Sequence, residues 1–129
     1  MIDLNWYYTL HQPPLTPFAD IFPPVWAFLY VLIFISLVLF AVKRTDEPKA
    51  FGYILFTAQI VINLSWSPVF FVFHNISAAL ILIILLDLLV LFNIKEFYKI
   101  SQKSAYFLIP YFLWILYATY LTAGFLLLN

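Results

Sequence analysis

Long apolar runs alternate with short polar interruptions along this chain. From Pro24 to Val42 no charged residue occurs, and the run stops at Lys43 and Arg44. After the charged segment KRTDEPKA (residues 43–50), a second uncharged run covers 50–73; it contains Pro68 and ends at His74 and Asn75, which read as a tight polar turn. A third run covers 76–94 with Asp87 near its middle, and Lys95 to Lys103 reads as a charged loop. The last run, 104–128, carries Pro110 in its first third. Apolar runs of about 20 residues match the thickness of a bilayer core. The pattern therefore predicts an all-α integral membrane bundle of four transmembrane helices, in a single membrane domain spanning residues 1–129. Short connections predict antiparallel neighbours.

Residues 1–23 are different in kind: polar, aromatic and too broken to span a membrane. The stretch WYYTLHQPPLTPFADIFPPVWAFLY contains Pro13, Pro14, Pro17, Pro23 and Pro24. Each proline fixes its own φ and steers the residue before it away from the α region. A shaped, non-helical rim is expected over 11–23, abutting the first span. Pro23 and Pro24 sit where a helix's first turn tolerates missing amide donors.

Composition sharpens the membrane reading. Hydrophobic residues make up 66% of the chain and charged residues 9%, against roughly 25% charged in soluble domains. The mean hydropathy is +1.03. Aromatic residues reach 22%, more than a lipid-facing surface requires, so some are expected to line an interior. Cysteine is absent, which removes disulfides, thiolate chemistry and cysteine metal sites. A net charge of zero, with basic residues confined to helix ends, argues against a nucleic-acid partner. No basic segment precedes an apolar run at the N-terminus, so a cleaved signal peptide is not expected.

Charge also sets an orientation. Lys43, Arg44, Lys49, Lys95, Lys99 and Lys103 all lie in the first and third connections. The positive-inside rule puts these basic loops in the cytoplasm and both termini on the opposite side.

Some residues recur at helical spacing. Trp26 and Tyr30 share a helix face beside the rim, as do Asn63, Trp66, Ser67 and Phe70 in the second span. Trp114, Ala118 and Thr122 form a stripe in the last span, with Tyr111 and Tyr117 beside it. Pro68 frees a backbone carbonyl that a neighbour must satisfy. An aromatic-lined cavity with a few hydrogen-bonding groups suits a flat, largely apolar ligand. Helix-on-helix packing accounts for the same residues equally well, and spacing alone leaves both readings open.

These residues carry a resemblance. WYYTLHQPPLTP followed by FPPVWAFLY resembles the opening motif of the tryptophan-rich sensory protein and translocator protein family (TspO/MBR, the peripheral-type benzodiazepine receptor family). NLSWSPVFF at 63–71 is similar to its second signature, and PYFLWILYATYL at 110–121 with the terminal LN to its third. Three motifs in order over nearly the whole chain make the resemblance specific. Family members have five spanning helices, and the match begins at the end of the first, so either the chain lacks that helix or the sequence starts after it. Leu15, Pro23 and Thr122 stand where the family usually has tryptophan, glycine and asparagine.

The family binds porphyrins, and its animal members also bind cholesterol and synthetic benzodiazepine-type ligands. The resemblance thus implies ligand-binding roles for Trp6, Tyr7, Trp26, Tyr30, Asn63, Trp66, Trp114 and Ala118. Trp6 and Trp114 match tryptophans implicated in porphyrin breakdown in some bacterial members, which makes them the candidate catalytic residues. Porphyrin or haem is the implied ligand, with no obligatory cofactor. Cholesterol is disfavoured, because the motif proposed for it ends in Lys or Arg and residues 104–129 contain neither.

Asp87 stands apart. A carboxyl near mid-membrane is costly and marks a functional site by default. Asn63, Ser65 or Thr57 are its expected partners, in a structural interhelical bond or as part of proton or ion movement. A proton path needs more than one titratable group, and Asp87 is the sole carboxyl within a span. His11, in the rim, is a candidate ligand for a haem iron, whereas His74 reads as a solvated loop residue. No metal cluster, nucleophilic triad or phosphate loop is present in the sequence.

The expected function is a membrane receptor-like protein binding tetrapyrroles or similar flat hydrophobic molecules, with light- or oxygen-dependent porphyrin degradation as an added activity. The expected partners are the lipid bilayer, a hydrophobic small molecule and a second copy of the chain. A structural or assembly protein completing its bundle with a partner helix, or a small-molecule transporter, are the alternatives.

Overall fold

The computed structural model describes residues 4–11 and 22–129, with side chains described for 6–11 and 23–129. Most of the proline-rich rim, residues 12–21, lies outside the described residues, and with it the expectation of a non-helical segment there. Five helices are described: α1 (Leu4–Thr9), α2 (Phe22–Val42), α3 (Ala50–Phe71), α4 (Ile76–Ile100) and α5 (Gln102–Leu128). The last four are long and apolar enough to cross a membrane, as an all-α bundle requires.

Four boundaries differ from the sequence reading: α3 ends at Phe71 and α5 starts at Gln102, each two residues early, and the other two are more informative. Helix α2 starts at Phe22, so Pro23 and Pro24 lie inside its first turn, where the missing amide donors cost nothing. Helix α4 runs on to Ile100, so the expected loop over 95–103 is a helix end followed by a break at Ser101. Its charged residues extend the helix because they fall at helical spacing: Lys99 Nζ meets Glu96 Oε1 at 2.8 Å, one turn away. Ser101 then starts α5 by accepting the Ser104 amide on its side chain at 3.3 Å.

The turn between α3 and α4 is built on local chemistry. Pro68 donates no amide, and its own carbonyl accepts from the Val72 and Phe73 amides at 2.9 and 3.0 Å to close the helix. His74 takes φ 55, the left-handed region, and reverses the chain. Asn75 caps α4 by accepting the Ala78 amide at 3.0 Å.

Helix α4 packs on both α3 and α5, α2 packs on α5, and α1 lies against α3. The spans are thus ordered α2–α5–α4–α3. Ser36 and Ser104 bring α2 and α5 together: each hydroxyl donates to the other residue's carbonyl, at 2.7 and 2.6 Å. Small residues of this kind let helices approach closely in a bilayer. Side chains join α2 to α3. The Phe40 ring sits over Gly52, where an added Cβ would lie 2.6 Å from Phe40 Cζ. Phe40 also stacks on Phe97 of α4 with centroids 4.0 Å apart.

Candidate functional site

Trp26 lies about one turn into α2, and its ring meets two rings of α5, Tyr111 at 6.3 Å and Trp114 edge-on at 6.5 Å. Tyr30, one turn further, stacks obliquely on Trp26 at 5.8 Å and donates its phenol proton to Asn63 Oδ1 at 2.5 Å. Asn63 Nδ2 donates to Tyr111 Oη at 2.8 Å, and Tyr111 donates to Gln59 Oε1 at 2.8 Å. A relay of four side chains therefore ties α2, α3 and α5 together beneath the tryptophans.

A second aromatic group closes the far end. Tyr7 of α1 is buried between Phe71, Phe125 and Phe70, with ring centroids at 5.6, 5.3 and 6.5 Å. Trp6 lies edge-on to Phe70 at 5.5 Å and stacks flat on His74 at 4.2 Å. Burial among the rings pushes the Tyr7 phenol up to about 12. The α1 end is also clasped to the end of α5. The His11 amide donates to Asn129 Oδ1 and Asn129 Nδ2 donates to the His11 carbonyl, both at 3.0 Å.

Trp66 links the two groups, packing against both clusters and stacking on Phe70 at 5.3 Å. From Trp114 to Phe125 is eleven residues, so the groups are separated by about 16 Å along α5. Buried Ala118 and Thr122 lie on that stretch. Because the ring of Trp26 meets α5 at Tyr111 and Trp114, α2 begins well short of the α5 end. Trp66 and the small-residue stretch of α5 thus lie between the upper and lower rings. Trp66 Nε1 and Gln59 Nε2 are buried there without a hydrogen-bond partner among the described residues.

Of the eight residues assigned by resemblance, seven fall in these two groups and one lies between them. Trp26, Tyr30, Asn63 and Trp114 belong to the lower group, Trp6 and Tyr7 to the upper, Trp66 to both, and Ala118 lies between. The candidate catalytic residues Trp6 and Trp114 are therefore in different groups. Asn129 holds His11 at the end of α5, about 22 Å along the helix axis from Trp114, and the His74 ring is stacked on Trp6. Neither histidine belongs to the lower group. No cluster of three or more metal-ligating side chains occurs among the described residues.

Gln59 is the residue sequence reasoning missed. It is fully buried one turn before Asn63 on the same face, and that i, i+4 spacing of uncharged polar residues in an apolar span was the available signal.

Asp87 has a different partner from those expected. Thr119 of α5 donates to Asp87 Oδ2 at 2.6 Å. Asn63 is engaged by Tyr30 and Tyr111, Ser65 donates back to the Val61 carbonyl of its own helix, and Thr57 is exposed. Thr119 Oγ1 also lies 2.8 Å from the Ile115 carbonyl, so Asp87 is fastened to α5 by a single hydroxyl.

A model of the TspO/MBR family matches residues 2–128. The chain is 34% identical over 128 residues to the "Tryptophan-rich protein TspO" of Chlorobaculum tepidum, covering 97% of this chain and 80% of that one. A protein of the same name from Archaeoglobus fulgidus is 36% identical over 125 residues, covering 97% and 80%. The human "Translocator protein" is 28% identical over 118 residues, covering 90% and 70%.

Proposed function

This chain belongs to the TspO/MBR family, and from that premise we propose that it binds a tetrapyrrole, or a flat hydrophobic molecule of similar shape, between its two aromatic groups. It is an integral, multi-pass membrane protein. The observation that carries the reading is the meeting of Trp26 and Trp114, edge to face at 6.5 Å, directly above the Tyr30–Asn63–Tyr111 relay. Helix-on-helix packing alone needs no such convergence of rings on a buried polar chain. A macrocycle between the groups would bury its faces against aromatic rings and pass over Ala118, where no side chain projects beyond a methyl group.

The residues present fit a porphyrin better than a coordinated haem. Trp66 Nε1 and Gln59 Nε2 are donors in search of acceptors, as carboxylate or carbonyl groups of a ligand would be. An iron ligand is harder to supply, because the His74 ring is stacked flat on Trp6 and His11 is clasped through its backbone to Asn129 at the end of α5. Asn63 and Tyr111 are already paired and would set orientation through the rigidity of their relay. Porphyrin degradation rests on the resemblance of Trp6 and Trp114 and is proposed as a secondary activity, with bleaching of the bound pigment in light and oxygen as its readout.

Titration of the purified protein with protoporphyrin and with haem in the dark tests the binding. Tryptophan emission and the porphyrin absorption band are followed together. Saturable quenching by protoporphyrin, equal to or stronger than that by haem, is expected. Absence of a saturable signal with either compound would reject the proposal.

A further inference from the structure

At the opposite end of the bundle, a cleft of about 620 Å³ opens where the end of α2 meets the α4–α5 junction. Its lining includes Lys43, Arg44, Lys99 and Lys103, above a floor containing Leu39 and Val42. From this cleft we infer that the protein carries a binding site for an anionic glycerophospholipid, its phosphate held by the four cations and an acyl chain against the apolar floor.

Positive charge at a helix end is ordinary for a membrane protein, so the way these cations are deployed decides the matter. Lys49 is committed elsewhere. Its ammonium donates to the Ala41 and Lys43 carbonyls at 2.9 and 2.7 Å and sits 5.7 Å over the Phe40 ring. It thereby satisfies one carbonyl in the last turn of α2 and one just beyond the helix, and leaves the Lys43 and Arg44 side chains to the cleft. Lys95 lies over the Phe92 ring at 5.8 Å, away from the cleft. The remaining four basic residues line one concavity, and no acidic residue lines it with them.

Among the described residues the one ion pair these four make is Lys99 with Glu96 at 2.8 Å, and that lysine is largely exposed. Lys43, Arg44 and Lys103 are exposed as well. Gln102 and Lys103 form the first turn of α5, whose leading amides have no acceptor within the helix. The partial positive charge of that helix start is offset by the C-terminal ends of α2 and α4 at the same junction, so the side-chain cations carry the attraction. A free anion would use the cations alone; the apolar floor at the membrane edge argues for a lipid. Basic pockets between spans are a known setting for acidic lipid headgroups, each Lys or Arg near the surface adding about 1 kcal/mol, or fivefold.

The site lies at the other end of the bundle from the aromatic groups and stands independently of any porphyrin. The test uses the full chain in neutral detergent, with lipid binding read by native mass spectrometry and by thermal shift. Phosphatidylglycerol, phosphatidylcholine and inorganic phosphate are the probes. Retention and stabilisation are expected with phosphatidylglycerol alone. Arg44→Gln and Lys103→Gln, both on exposed side chains, should each weaken that binding about fivefold, while Lys95→Gln leaves it unchanged. Equal responses to the two lipids, or a matching shift from inorganic phosphate, would overturn the inference. So would an effect of Lys95→Gln as large as that of Arg44→Gln, which would mean diffuse surface charge.

Discussion

Tyr30 and Asn63 are bonded side chain to side chain, 33 residues apart in sequence, and through them α2 is locked to α3. Asn63 is engaged at both amide atoms, accepting from Tyr30 and donating to Tyr111, and the Tyr111 hydroxyl donates to Gln59. Lipid cannot replace such bonds. Tyr111→Phe removes two of them while keeping the ring that meets Trp26. Interhelical bonds in bilayers are each worth about 0.6 kcal/mol, with a ceiling near 1.7. Loss of about 1–2 kcal/mol is expected in a detergent unfolding titration. A change within error would show that the relay is decorative.

Gly52 is a close-approach site. Its added Cβ would lie 2.6 Å from Phe40 Cζ, and that ring is hemmed in by Phe97 and Tyr53. Gly52→Ala should therefore cost about 1–3 kcal/mol, the usual range for overpacking. Phe40→Leu in the same protein, by vacating the ring's space, should return part of the loss. Thermal melts of the two single variants and the double variant measure the coupling.

Docking of α1 depends on a neutral Tyr7. Its phenol is raised from 10.0 to about 12 by burial, so the folded site holds the proton more tightly than the free chain does. The stabilisation it gives is fully present below about pH 10 and is lost as pH climbs through about 12. Trp6 emission, set by its contacts with His74 and Phe70, should stay constant up to about pH 10 and change above it. In Tyr7→Phe that alkaline change should vanish.

Asp87 and Thr119 join α4 to α5 within the membrane. An amide can donate to Thr119 Oγ1 while that hydroxyl donates to the Ile115 carbonyl. Asp87→Asn is thus expected to fold with near-normal stability, and Asp87→Leu to lose about 1 kcal/mol. Vesicles containing Asp87→Asn should show the same proton permeability as the unmodified protein. A selective loss of proton flux would instead make Asp87 a transport residue.

Helical periodicity made the lower aromatic group legible in advance. Trp26 with Tyr30, and Trp114 with Ala118, share faces because each pair is four residues apart; the structure packs Trp26, Trp114 and Ala118 inward, while the exposed Tyr30 ring sends its hydroxyl in to Asn63. Partners across helices were not legible. Asp87 finds Thr119 rather than Asn63, Ser65 or Thr57 because the choice depends on which helices are neighbours and in what register. Nothing in a one-dimensional pattern states that. The end of α4 differs for a local reason: Lys95, Glu96 and Lys99 read as a charged loop, yet their spacing is that of a helix leaving the bilayer. The i, i+4 pairing of Gln59 with Asn63 marks a polar face on α3, but the pattern does not state which neighbouring helix that face meets.

The most direct measurement is the protoporphyrin dissociation constant of the unmodified protein and of Trp114→Phe, taken in the dark in the same detergent. Trp114 touches Trp26 and Tyr117, and exchanging its indole for a smaller ring should weaken binding about threefold to tenfold, the worth of one good aromatic contact. Saturable binding in the unmodified protein, weakened in the variant, is the predicted result. Equal affinity in the two proteins would contradict a ligand site between these aromatic groups.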